Sequence, residues 1–494
     1  MYKCLEKVNT SIYNTGINIQ EFFKKYRDVL IISFIAGILI NSIDIFTFKF
    51  GVDSAYGPYT EQFVMQRYGS LILHNLFPFL SYNIISQLTG VISLIFAALI
   101  IISRHNVSNT GKNLFIIIFI SSTYFTYLQH FFFQSAYNFI GLLFAAAAFR
   151  LIENNKNIFM YLLAVFLLFI GVSSYQSNVS VFLSVMMLNV ILNFINDKNI
   201  EKAFMLIIKS TLILLVSLII YYIVYKMGTV KIRSYFTDQI LWVIDNADYK
   251  EIIIKITKFI FINIWFYLYT AVTVLYAVFN FKKIKERLFF IFLSILFILA
   301  VYSLIILMGN INTERTRTPL AIFPAFIFLL LYIFKDNNIL KSIAVIFALI
   351  IISVNTSSNI KLQNTAKLMY EQDKMTAAKI LDIIYTKYPE IFKGEYKIAF
   401  YGSITPNKHY LKQSSGSLAY TSFFCCGRLM PHRIYGFLRL MGLPEKIKLN
   451  SIIINKDISR APDDLKKLIE SMPVYPSSNC AELYEDTVFI KLSD

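Results

Sequence analysis

The chain has 494 residues, of which 56% are hydrophobic and only 16% charged, with a mean hydropathy of +0.58. A soluble domain carries about 25% charged residues, so this composition excludes an ordinary water-soluble enzyme. Only 17 Gly and 11 Pro accompany 46 Phe and 32 Tyr, which excludes collagen-like, Pro-rich and disordered chains. The net charge of +17 is no sign of nucleic-acid binding, because the spare basicity falls in short loops and in the tail.

In chain order, apolar runs fall at about 29–48, 84–103, 114–131, 134–150, 158–174, 178–195, 204–225, 258–280, 288–308, 319–334 and 339–356. Each is about long enough to cross a hydrocarbon core of roughly 30 Å. Helices are required, since lipid offers the backbone no hydrogen-bond partners. The first run follows a long polar preamble and lacks a small-residue cleavage site, so it reads as a span and not as a signal peptide. Eighteen Lys and Arg fall in one set of alternate loops and ten in the other, which predicts a cytoplasmic N-terminus. An odd number of spans then puts the C-terminus outside. The expected architecture is a mainly α polytopic membrane protein of about 11 transmembrane helices, with a cytoplasmic segment 1–28, a membrane domain 29–356 and a small extracytoplasmic α/β domain 357–494.

The first outer loop reads FKFGVDSAYGPYTEQFVMQRYGSLILHNLF from Phe48 to Phe77. Gly51, Gly57 and Pro58 break helix, leaving Asp53 in a turn, and Pro58 opens a short amphipathic stretch that carries Glu61 and Arg67. A carboxylate beside lipid loses solvation, which raises its pKa toward that of a general base. An Arg at the same depth grips phosphate oxygens in pairs. The plainer readings are a turn-shaping Asp53 and a snorkelling Arg67. Farther on, Lys231 and Arg233 alternate with apolar residues in VKIRSYF, suited to lipid headgroups or to a substrate phosphate. Glu314, Arg315 and Arg317 crowd before a late span and need either an anionic ligand or one another. Tyr175 and Gln176 occupy an outer helix turn, with His130 and Gln134 bordering the preceding one. These four line a cavity or tie helices together.

The tail from Ser357 turns polar. Ala366–Tyr388, Pro431–Met441 and Pro462–Met472 have helical periodicity, while Tyr396–Tyr401, Ile452–Ile454 and Thr487–Leu492 read as extended. Cys425 or Cys426 could bridge to Cys480 on an oxidising side, a pairing that the sequence leaves open. No nucleotide-binding glycine loop and no H-E-x-x-H motif is present, so nucleotide use inside the cell has no support.

Taken together, these stretches resemble the Gtr-type glucosyltransferase family, membrane enzymes of serotype-converting O-antigen glucosylation. The similarity lies in Asp53 followed by Gln66-Arg67-Tyr68-Gly69, in the Tyr175-Gln176 pair and in Arg317-Thr318-Pro319. In the tail it lies in YEQDKMTAAKI (Tyr370–Ile380), AFYGSI (Ala399–Ile404) and PVYP (Pro473–Pro476). The resemblance implies a GT-C architecture in a bacterial cytoplasmic membrane, with a polyprenyl-phosphate-linked sugar as donor and a cell-surface glycan as acceptor. It implies Asp53 as the acidic residue of the first outer loop and Arg67 as the Arg that closes it. The family pattern calls for paired acids there. This chain has a lone Asp53, which brings Glu61 and Asp44 into consideration for the same role.

The chemistry implied is direct displacement, with Asp53 or Glu61 as base. Arg67, Arg315, Arg317, Lys231 and Arg233 would hold the donor phosphate, with Tyr175 and Gln176 in the substrate cavity. The scheme requires no metal, although some GT-C enzymes use a divalent cation. A transporter or flippase for lipid-linked saccharides, or a polymerase, would present similar loops without this transfer.

Overall fold

The computed structural model describes residues 2–49, 67–81, 83–154, 157–227, 249–309, 314–334, 337–392, 396–404, 422–425, 430–450 and 461–494. Asp53, Glu61, Lys231 and Arg233, and the expected strand Ile452–Ile454, lie outside these residues. So does Cys426.

The helices are α1 (Tyr2–Ile40), α2 (Ser42–Phe46), α3 (Tyr68–Leu76), α4 (Asn83–Ile102), α5 (Asn109–Ile120), α6 (Thr123–Gln129), α7 (Phe132–Asn154), α8 (Ile158–Ser174) and α9 (Asn178–Asp197). They continue as α10 (Ile200–Met227), α11 (Tyr249–Ile262), α12 (Ile264–Asn280), α13 (Ile284–Met308), α14 (Ile322–Tyr332), α15 (Asn338–Lys387), α16 (Met430–Leu440) and α17 (Asp463–Ser471). Among the described residues six helices are long and apolar enough to cross a membrane, and the bent pair α11–α12 would make a seventh. Three shorter apolar helices accompany them, at Asn109–Ile120, Ile158–Ser174 and Thr318–Tyr332. The chain is a helical membrane protein.

Three expected runs are interrupted, each at a small polar residue. The run 29–48 bends at Asn41, between α1 and α2, where the Asn41 side chain donates to the Gly37 carbonyl at 2.9 Å. The run 114–131 breaks at Ser121-Ser122 between α5 and α6. The run 258–280 is not one straight helix: α11 and α12 meet at 67°. There Asn263 caps α12 by accepting from the Trp265 N–H at 3.1 Å, so its side chain competes with helix continuation.

Glycines set a close crossing between α7 and α8. A Cβ on Gly171 of α8 would lie 2.7 Å from the Gly141 carbonyl oxygen of α7. Across this contact the Asn178 amide donates to the Gly171 carbonyl at 2.9 Å, which locks the start of α9 to the end of α8.

The tail folds around a four-stranded sheet of order β2-β1-β4-β3, made of β1 (Lys397–Tyr401), β2 (Lys448–Leu449), β3 (Ala481–Tyr484) and β4 (Thr487–Lys491). β1 pairs in parallel with β2 and β4, while β3 pairs antiparallel with β4. Alternation divides two cores. Ile398, Phe400, Val488 and Ile490 pack with α15 and α16, while Ala399 and Phe489 pack with Leu465 and Ile469 of α17. A sheet buried on both faces is the arrangement expected when helices cover each side. Cys480 is a free thiol.

Candidate active site

Among the described residues, Arg67 and Arg315 of the outer loops meet His130 and Gln134 at one short turn, Gln129–Gln134, which joins α6 to α7. The chain reverses there because α6 ends at Gln129 and α7 restarts at Phe132, with the Gln134 and Ser135 N–H groups closing on the Phe131 carbonyl at 2.9 and 2.8 Å. Three groups meet this turn from different parts of the sequence.

Arg67 is the first. It precedes α3 with non-helical backbone angles, so it stands at the mouth of the helix and not within one. Its guanidinium donates to the Gln134 carboxamide oxygen and lies 5.0 Å from the centre of the Tyr175 ring. Arg67 is only 8% exposed, and among the described residues its Nε has no partner. The approach is set by Gly69, where a Cβ would stand 2.2 Å from the Ile170 carbonyl oxygen and 2.6 Å from the Ser174 nitrogen. Ser70 adds a hydrogen bond to the Ser174 carbonyl at 3.0 Å. Tyr137 fastens the far end of α3 by donating to the Phe77 carbonyl and by contacting His74, both at 3.1 Å.

Arg315 is the second, stacked 4.2 Å from the centre of the Phe131 ring. Arg317 diverges from it and lies 4.9 Å from the ring centre of Phe259 on α11. Glu314 makes an ion pair with neither among the described residues. The third group is a buried pair that the loop reading did not anticipate. Lys49 donates to Asp44 Oδ1, both side chains being fully enclosed, and Lys49 acts electrostatically on His130 of the turn. Among the described residues Asp44 Oδ2 has no partner.

Of the cavity candidates, Tyr175 therefore underlies Arg67, while Gln176 turns aside to donate to the Tyr221 hydroxyl at 3.1 Å. Around them, among the described residues, buried carboxamides are left incomplete: Oε1 of Gln87, both amide atoms of Gln129, Nε2 of Gln134 and both amide atoms of Asn138. An orphaned buried polar atom costs about 1–3 kcal/mol, so hydroxyl groups or enclosed water would complete this cluster. Gln87, Gln129 and Asn138 escaped the motif reading. Their only signal is that each is a carboxamide inside or beside an apolar run. Among the described residues no three His, Cys, Asp or Glu group so as to hold a metal.

Fold and site define a class: a polytopic helical protein that gathers guanidinium groups and carboxamides at one end of its bundle. The family model described as glucosyl transferase GtrII matches residues 45–334, more than half of the chain, and the chain belongs to that family. No curated protein and no solved structure matches it. The family match begins one residue after Asp44 and ends after α14, so it contains every residue of the site described above except Asp44.

Proposed function

We propose that this protein transfers a sugar, glucose on the family's evidence, from a polyprenyl phosphate to a cell-surface glycan of the O-antigen kind. The reading takes eleven spans and places the arginine end of the bundle at the outer face of a bacterial cytoplasmic membrane. The observation that carries it is the Arg67 guanidinium, buried between Gln134 and Tyr175 within the family-matched region. A buried cation with an unused N–H is suited to an anionic leaving group.

In the proposed reaction an acceptor hydroxyl oxygen attacks the anomeric carbon. The bond from that carbon to the phosphate oxygen breaks, and polyprenyl phosphate leaves with the bonding electrons. The hydroxyl proton passes to a carboxylate of the first loop, Asp53 or Glu61. Arg67 and Arg315 stabilise the growing phosphate charge, with Arg317 and, on the loop sequence alone, Lys231 and Arg233 as further cations. Direct displacement inverts the anomeric carbon. The incomplete amides of Gln129, Gln134 and Asn138 supply donors and acceptors of the type that sugar hydroxyls need.

The test is to incubate purified protein with polyprenyl-phosphate glucose and acceptor glycan and to look for a new glycosidic bond. Arg67→Ala is expected to lower the rate about 10²-fold, the scale for losing one donor to a developing oxyanion. Movement of the donor across a bilayer without a new bond would replace the transferase reading with a flippase.

A further inference from the structure

The family match ends at residue 334, before α15 begins, yet α15 reaches the candidate site. We propose that Asn359 and Gln363 of α15 are positioning residues of that site, which hold the Gln129–Gln134 turn so that Arg67 and Arg315 meet the donor phosphate. The inference takes the meaning of the site from the transferase reading, but its geometry stands without it.

The argument begins with two broken helices. In a continuous helix the Asp44 N–H would donate to the Ile40 carbonyl four residues earlier. At the bend between α1 and α2 the Gln363 carboxamide stands between these two groups. Its amide donates to the Ile40 carbonyl at 3.0 Å, and its oxygen accepts from the Asp44 N–H at 3.4 Å. The break between α5 and α6 is met in the same way. There the Phe125 N–H donates to the Ser122 carbonyl at 3.1 Å, which releases the Ser121 carbonyl, and the Asn359 amide donates to it at 2.7 Å. Asn355 adds a longer bond to Ser121 Oγ at 3.4 Å. Residues 355, 359 and 363 recur every four positions and so share one face of α15. Asn359 and Gln363 are fully buried, where an unmatched backbone group costs about 1–3 kcal/mol.

Both breaks lead into the site. Gln363 fixes α2, whose Asp44 pairs with Lys49, and Lys49 acts on His130 of the turn. Asn359 fixes the start of α6, and the turn follows at the end of that seven-residue helix. Beside the two amides, Leu362 and, one turn on, Ala366 pack directly with Tyr127 and Phe131. Phe131 carries the Arg315 guanidinium on its ring, and Gln134 accepts from Arg67. One helix therefore holds the turn in three ways, and the two cations that rest on it inherit that placement.

Asn359→Leu and Gln363→Met keep the side-chain bulk and remove the bonds. Full-length protein in detergent is assayed with polyprenyl-phosphate glucose varied at fixed acceptor, and then the reverse, using only the monodisperse folded fraction. Each variant is expected to raise the donor KM about tenfold and to leave the acceptor KM unchanged. Asn364→Leu, at an exposed carboxamide of the same turn, is expected to behave as wild type. A purely structural role would lower the amount of active protein with both KM values intact, and that result overturns the proposal. Should the buried variants not fold, Asn355→Ala decides, because its side chain is only partly buried. A donor KM raised roughly twofold supports the proposal there, and a wild-type value overturns it. Wild-type protein that forms no glycosidic bond would instead sink the transferase reading. Binding of polyprenyl phosphate alone then carries the test: weaker binding by Gln363→Met supports the positioning role, and equal affinity overturns it.

Discussion

At the scale of single residues, Arg67 depends on its neighbours more than on its own chemistry. Gly69→Ala places a methyl group against the backbone at Ile170 and Ser174, where no side chain can rotate away. The contact opens only if α3 lifts from α8, and that carries Arg67 off Tyr175. The expected outcome is a donor KM raised about tenfold and a stability loss of about 1–3 kcal/mol. Steady-state kinetics with donor varied checks it, and an unchanged KM would remove Gly69 from the positioning of Arg67. The Asp44–Lys49 pair separates structure from catalysis in a similar way. Asp44→Asn leaves a buried ammonium without its counter-charge, an effect of about 3–5 kcal/mol. Asp44→Asn with Lys49→Met is expected to recover most of the thermal stability. If that double variant also recovers sugar transfer, Asp44 is structural and the base lies with Asp53 or Glu61. The Arg67-Tyr68-Gly69 motif was legible as a string. Its meaning was not, because the backbone that Gly69 touches is about a hundred residues away.

At the scale of elements, the sequence showed where apolar helices lie better than where they break. α8 coincides with its apolar run, whereas Asn41, Ser121-Ser122 and Asn263 interrupt theirs. One amide or hydroxyl barely changes the mean hydropathy of a 20-residue window, yet it can cap a helix or free a carbonyl. α15 shows the converse. Composition changes near Ser357, but the helix runs unbroken from Asn338 to Lys387 because its partners change and its propensity does not. Beyond the apolar part of α15, Asp373 is 4% exposed. It accepts from Ser422 Oγ and from the Phe423 N–H, the latter at 2.8 Å. Burial pushes its carboxyl up to about 7, above the unfolded value near 3.9. The folded tail therefore holds the proton more tightly than the unfolded chain does. The stabilisation is complete below about pH 4 and is lost as pH rises through 7. Thermal unfolding of the full-length protein is expected at lower temperature at pH 8 than at pH 5. The slope corresponds to at most about 1.4 kcal/mol per pH unit from this group. Asp373→Asn, which cannot ionise, is expected to flatten that slope, and an unaltered slope would assign the effect to other groups.

At the scale of the whole molecule, α15 ties the tail to the end of the bundle that carries the arginines. The Gln363 amide donates to the Ile40 carbonyl at 3.0 Å, and its oxygen accepts from the Asp44 N–H at 3.4 Å. One turn earlier the Asn359 amide donates to the Ser121 carbonyl at 2.7 Å. These bonds bring the sheet-bearing tail and the Gln129–Gln134 turn to the same end, while Arg104, just after α4, and Lys202, in the first turn of α10, stand at the other. Lysine and arginine counts predict a direction of the chain through the bilayer, but they carry no information about this latch, which joins residues more than 200 positions apart. The two together make a geometric prediction. Cysteine placed at exposed Asn75 or Lys379 is expected to react with a membrane-impermeant thiol reagent in intact cells. Cysteine at Arg104 or Lys202 is expected to react only after the membrane is opened. Labelling of Asn75 and Lys379 from opposite sides would break the shared-end geometry. Labelling of both only from the cytosol would keep that geometry and invert the protein, and a polyprenyl-phosphate donor on the outer leaflet could then no longer reach Arg67.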